Sequence, residues 1–133
     1  AAMAALVAVV MRSMFRQNFI RLLNPRCWFW MVVYLFVFTW YVLRGGFDVV
    51  YRVLHPAMPI SPGIVRARTT LETDTARIVL ANSITLTPGT LSVDVTPDGV
   101  FYVHWVNVLS EEDEVVAELI LRRFEWFIRR IFE

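Results

Sequence analysis

Seventeen consecutive residues, Cys27 to Leu43 (CWFWMVVYLFVFTWYVL), carry no charge, and Arg26 and Arg44 bracket them. Such a run is either the buried core helix of a soluble domain or a helix in lipid, where about 20 apolar residues cross the hydrocarbon. Composition favours lipid. Of 133 residues, 57% are hydrophobic and only 19% charged, with a mean hydropathy of +0.54, against about 45–50% apolar in ordinary soluble domains. Seventeen is short for a span, but the helical pattern continues through GGFDVVYRVLHP. Trp28, Trp30, Trp40 and Tyr41 gather towards the ends of the run, as interfacial aromatics do. The Gly45-Gly46 pair suits close helix approach or a kink. Trp28, Trp30, Tyr34, Trp40, Gly45 and Gly46 are therefore the candidate membrane-packing residues.

Upstream, AAMAALVAVVM is apolar, with no charged leader before it. It reads as the tail of a longer hydrophobic helix rather than as a signal peptide. MRSMFRQNFIRLLNPR then alternates Met14, Phe15, Phe19, Leu22 and Leu23 with Arg12, Arg16 and Arg21, a basic amphipathic connector suited to headgroups. Asn24 is a candidate N-cap and Pro25 a first helical residue. The four arginines from Arg12 to Arg26 mark a cytoplasmic side. A full span over Cys27–Leu43 would place the remainder outside. A helix lying in or re-entering the cytoplasmic face would keep both ends together. Arg44, Arg52, Arg66 and Arg68 also follow the run, so the charge bias is shallow.

HPAMPISPG, with three prolines and a glycine, reads as a linker, dividing membrane helices and connector (1–58) from a small α+β domain (59–133). Ile64 to Thr70 is a strand-like run. Glu72 to Ile84 is a helix capped by Thr73 or Asp74, with Ala76, Val79, Leu80, Ser83 and Ile84 on one face. Leu91, Val93 and Val95 alternate with Ser92 and Asp94, predicting a strand that buries its apolar set. Thr96-Pro97-Asp98-Gly99 is a turn into a second strand, Val100–Val106, apolar on both faces and hence central. Ser110 is a candidate cap for the last helix, whose start carries Glu111, Glu112, Asp113 and Glu114 and whose end carries Arg129 and Arg130. Val116, Leu119, Ile120, Phe124, Phe127, Ile128 and Ile131 form its expected stripe. The order is β-α-β-β-α, with an antiparallel or mixed sheet and both helices on one face.

Chemistry is sparse. One cysteine, Cys27, excludes an intrachain disulfide framework, and His55 and His104 are too isolated for a zinc cluster. No nucleophile, base and acid stand at a triad-like spacing. His104 is expected as a packed core residue. The acidic run Glu111–Glu114 is expected as a solvated helix start rather than a cation site. A net charge of +1 gives no reason for nucleic-acid binding. An ion-conducting chain should carry ionisable groups within its span, and Cys27–Leu43 has no charged one. Asp48 lies just beyond and is expected to pair with Arg44 or Arg52. ITLTPGT carries one glycine and no adjoining Lys or Arg, so it is not a phosphate loop. Pro88 cannot continue a helix, Gly89 supplies positive φ, and the threonine hydroxyls can satisfy backbone groups.

Pro62-Gly63-Ile64-Val65, the block Ile84-Thr85-Leu86-Thr87-Pro88-Gly89-Thr90, and Tyr102-Val103-His104 closely resemble the MnhE/MrpE-like family, small subunits of the Mrp-type multisubunit sodium/proton antiporters. The equivalent small subunits of membrane-bound hydrogenase-type complexes look similar. The match runs from about Ile60 to Val108; the hydrophobic half fits only in pattern. The resemblance implies a non-catalytic accessory subunit without a cofactor, docked among other membrane subunits of a prokaryotic cell membrane. Its small domain would sit at the membrane surface, on the cytoplasmic side. Pro62, Gly63 and the Ile84–Thr90 block would serve structure or assembly. The residues leave open a second reading, a stand-alone membrane-tethered module that binds a soluble partner.

Overall fold

The computed structural model describes residues 25–133. The apolar tail, the basic connector and the Asn24 cap lie outside the described residues. A 30-residue helix, α1 (Pro25–Leu54), comes first. Pro25 is its first residue, where a missing N–H costs nothing. It runs through Gly45-Gly46 and is long and apolar enough, by length and composition, to cross a membrane.

Then follow β1 (Gly63–Arg68), α2 (Asp74–Leu86), β2 (Thr90–Val95) and β3 (Val100–Trp105). The C-terminal helix, residues 113–132, is built from α3 (Asp113–Val116), a π-helical segment (Ala117–Arg122) and α4 (Arg123–Phe132). The sheet is antiparallel in the order β1-β3-β2, so the strand apolar on both faces is central. Val65 and Ala67 of β1 and Phe101 and Val103 of β3 point into one core with Ala76, Leu80 and Ile84 of α2. Val116, Ile120, Leu121, Phe124 and Ile128 close it from the C-terminal helix, so both helices cover one sheet face.

Local signals place the element ends. The Thr73 hydroxyl caps α2 by accepting from the Ala76 amide (3.3 Å). Gly99 takes φ +82° in the β2–β3 turn, and its amide donates to the Thr96 carbonyl (2.9 Å).

The structure corrects the sequence in four places. Leu91 and Val93 are exposed, while Thr90, Ser92 and Val95 are half-buried. The Thr90 hydroxyl donates to the Ile84 and Thr87 carbonyls and the Ser92 hydroxyl to that of Ala81, which ties these side chains to α2. A bulge between Ser92 and Asp94 then returns Val95 to the core side. His104 is half-buried on the outer face rather than packed in the core, because Phe101 and Val103 take the inward positions of β3.

Ser110 does not cap the last helix. Its hydroxyl accepts from the Glu112 amide (3.2 Å), and the helix begins at Asp113 with Glu112 as an N-cap that makes no side-chain bond. Finally, the wider π turn swings Ala117, Leu121 and Glu125 inward and leaves Leu119 exposed. Buried Glu125 accepts from the Thr69 hydroxyl, the Thr70 amide (3.1 Å) and the Thr70 hydroxyl (3.0 Å), and so fastens the β1–α2 connection to α4.

Candidate functional site

The Thr87–Thr90 turn joins α2 to β2 and is packed against the C-terminal third of α1, at Gly45 and Val49. Thr87 ends α2; its amide bonds the Ser83 and Ile84 carbonyls, and its buried hydroxyl donates to the Ser83 carbonyl (2.8 Å). Gly89 adopts φ +90°, where a side chain would be strained. Gly45 of α1 lies so close that a Cβ there would stand 3.1 Å from the Pro88 carbonyl oxygen and 3.5 Å from Thr87 Cγ2. One residue on, a Cβ at Gly46 would meet nothing within 4 Å. The pair is therefore asymmetric: Gly45 permits close approach and Gly46 does not take part.

The remaining block residues divide by face. Ile84 is core, whereas Thr85 and Leu86 are exposed. The Thr85 hydroxyl accepts from the Ser92 amide (3.2 Å). Pro62 is exposed ahead of β1, and Gly63 opens the strand where a Cβ would press Val108 Cγ2 at 3.0 Å. Thr87 and Thr90 bond carbonyls of the α2 C-terminus and of the turn, the Gly89 carbonyl accepts from the Val106 amide (2.9 Å), and Pro88 meets α1.

Above this joint, α1 and α4 pack through aromatic rings. Trp30 meets Trp126 edge-on (centroids 5.3 Å), and Tyr34, Phe38 and Tyr41 surround Phe124 (6.4, 6.1 and 5.5 Å). Tyr34 bonds Ser83; the Ser83 hydroxyl donates to the Val79 carbonyl (2.7 Å), so Tyr34 is the donor to Ser83. Cys27 is buried against the Ile131 carbonyl (3.6 Å). Trp28 and Trp40, in contrast, face outward.

A cavity of about 480 Å³ opens beside the joint, lined by Tyr41, Arg44, Asp48, Thr87, Thr90 and Arg123 among others. Asp48 is held by Arg52 (2.8 and 3.2 Å), which also donates to the Pro59 carbonyl (2.6 Å), and Glu118 is held by Arg122 (3.1 Å). Of the two partners expected for Asp48, Arg52 is the one bonded. Burial pushes the Arg123 guanidinium below its ordinary pKa, with Tyr41 opposing that and the like charge of Arg44 adding to it. Among the described residues, no group of three or more His, Cys, Asp or Glu could hold a metal ion. The described lining of the cavity supplies guanidinium and carboxylate charge and threonine hydroxyls.

Sequence reasoning misses Glu125, Arg123, Trp126 and Arg130 as participants. Arg130 stacks on Trp126 (3.7 Å) and Trp30 (4.6 Å), and Arg123 on Tyr41 (5.0 Å). Their spacing along the last helix is the signal for a second face flanking α1.

The MNHE family, described as a Na+/H+ ion antiporter subunit, matches residues 1–131. The E-type Na(+)/H(+) antiporter subunit of Alkalihalophilus pseudofirmus is 43% identical over 72 residues, 53% of this chain and 46% of that protein. The E1-type antiporter subunit of Staphylococcus haemolyticus is 35% identical over 98 residues, 73% and 60% of the two chains. The chain thus spans about half to three-fifths of the length of these curated relatives.

Among solved structures, a chain of the membrane-bound sulfane sulfur reductase, an archaeal respiratory membrane complex, superposes with a TM-score of 0.82 and 39% identity. The match covers 98% of this chain and 81% of that one. A chain of the Mrp complex from Dietzia sp. DQ12-45-1b gives 0.56 and 27%, covering 77% and 96%.

Proposed function

The chain belongs to the MNHE family of Na+/H+ ion antiporter subunits, and from that premise we propose that it is a non-catalytic accessory subunit of a multisubunit cation/proton antiporter or a related respiratory membrane complex. Its work is assembly and stability. Its partners are the other membrane subunits of that complex and the lipid around them, and its small domain stands at the cytoplasmic membrane surface.

The observation that carries this reading is the joint between Gly45 and the Thr87–Thr90 turn. The family-like block commits its threonines to backbone bonds and its proline to a contact with α1. The block thereby fixes the direction in which α1 leaves the domain, which is what a brace needs. A relay role for Asp48 is disfavoured by its two bonds to Arg52.

A C-terminally tagged chain, extracted from membranes in mild detergent, tests the proposal. Co-purification with multi-spanning antiporter-like proteins is the expected result. Recovery alone, with partners shown to survive the detergent, would replace it with the tethered-module reading.

A further inference from the structure

The two long faces of α1 are occupied differently. One is held by the domain: Cys27 by Ile131, Trp30 by Trp126, Tyr34 by Ser83, Tyr41 by Phe124 and Gly45 by Pro88. At a rise of about 1.5 Å per residue, those contacts run along about 27 Å of the helix axis. The opposite face, from Trp28 to Leu54, is exposed and carries no charge; Phe36, Phe47 and Leu54 are 73%, 75% and 77% accessible. It extends over about 39 Å by the same rise, longer than a hydrocarbon core of about 30 Å. Arg44, Asp48 and Arg52, the charges of this stretch, border the cavity on the domain side.

A helix crossing the bilayer through this region would carry the attached domain into hydrocarbon. The exposed Arg66–Asp113 and Arg122–Glu114 pairs and the turns between strands would go with it. Unpaired backbone and charge are not tolerated there. The domain contact thus favours an axis lying in the membrane plane.

We propose that α1 is an in-plane membrane-surface helix, its outer face sunk among acyl chains and the bilayer itself its occupant. Arg44 and Arg123 border the cavity, where Asp48 and Glu118 are held by Arg52 and Arg122, and Arg130 stacks on Trp126 and Trp30 farther along the same pair of helices. Arg44, Arg123 and Arg130, with Trp126 half exposed beside the last, complement anionic phosphates. The outer face also favours lipid over a neighbouring helix. It is built of Trp, Phe, Leu, Val and Tyr, with Thr39 and the bordering Gly46 its small residues, whereas close helix packing in membranes uses small residues. With both ends of α1 on one side, the domain shares the side of the arginines from Arg12 to Arg26, the cytoplasmic one by the positive-inside rule. This inference rests on the membrane-subunit reading, but its failure would leave that reading standing, since co-purification tests the latter separately.

The test is a nitroxide scan of the full chain, assembled in its complex in native-lipid nanodiscs. Single cysteines replace Phe29, residues 35 to 43 and Phe47 in a Cys27→Ser background, and accessibility to oxygen and to nickel-EDDA is read at each. The expected result is an oxygen-to-nickel ratio that oscillates with the helical period, peaks at Leu35, Phe36, Trp40 and Leu43, and is level between Phe29, Phe36 and Phe47. A ratio that rises to a maximum at mid-helix and falls towards both ends would show a crossing helix and overturn the proposal. Low accessibility to both reagents at Phe36, Trp40 and Leu43 would show a protein neighbour and overturn it equally.

Discussion

Gly45 and Gly46 allow a controlled perturbation, because the same substitution one residue apart meets opposite surroundings. Replacing a mid-helix glycine with leucine gains about 0.5–1 kcal/mol of helix stability at either position. At Gly46 there is open space, so the gain is realised. At Gly45 the Cβ alone stands 3.1 Å from the Pro88 carbonyl oxygen and 3.4 Å from Pro88 Cδ, and the further carbons of leucine have no room. Pro88 belongs to a turn pinned by the Thr87 and Thr90 hydroxyls, so it cannot retreat cheaply. Overpacking of this kind costs about 1–3 kcal/mol. The net expectation is Gly46→Leu stabilised and Gly45→Leu destabilised, about 2 kcal/mol apart, or about 8 °C in melting temperature for a chain of this size. Thermal unfolding of the detergent-solubilised chain, followed by far-ultraviolet circular dichroism, reads it directly. Equal shifts for the two variants would refute the joint.

Further expectations follow from single bonds. Glu125→Ala strands the Thr69 hydroxyl and the Thr70 amide and should cost about 2–3 kcal/mol in urea unfolding, whereas Glu125→Gln, which can still accept, should cost less. Tyr34→Phe should cost about 0.5–1.5 kcal/mol, because Ser83 keeps its bond to Val79; a larger loss would show that Tyr34 holds more than Ser83. The Thr96 hydroxyl, the backbone amide and Arg68 hold the exposed Asp98 carboxyl below its ordinary pKa. Its stabilisation is therefore present at neutral pH and lost as pH falls through the folded value. Asp98→Asn should flatten the acid limb of stability against pH, and an unchanged limb would contradict that assignment.

Much of the fold was legible because it rests on signals a sequence carries. Pro25 starts α1, Thr73 caps α2, and Gly89 and Gly99 supply the positive φ that their turns require. The misreadings share a physical cause, local chemistry overriding hydrophobic period. In β2 the hydroxyls of Thr90 and Ser92 are committed to carbonyls of α2 and the turn, so Leu91 and Val93 point outward although alternation predicts them buried. In the last helix the π turn resets the stripe and hides Glu125 among apolar neighbours, which no regular period anticipates.

Of the candidate site, the sequence identified the turn and the glycine pair as separate features. Nothing in it said that Gly45 and Pro88 meet, because that contact joins distant segments of the chain. Nor could hydropathy distinguish a crossing helix from one lying along a surface. What packs on its other face bears on that choice, and a run of uncharged residues does not record it.

The most direct test of a bracing role is to introduce Gly45→Leu into the chain within its complex and measure two quantities on the same membranes: the amount of assembled complex, and cation/proton exchange per assembled complex. The expected result is less complex with unchanged exchange per complex. Full assembly with lost exchange would contradict it and place this chain on the ion path.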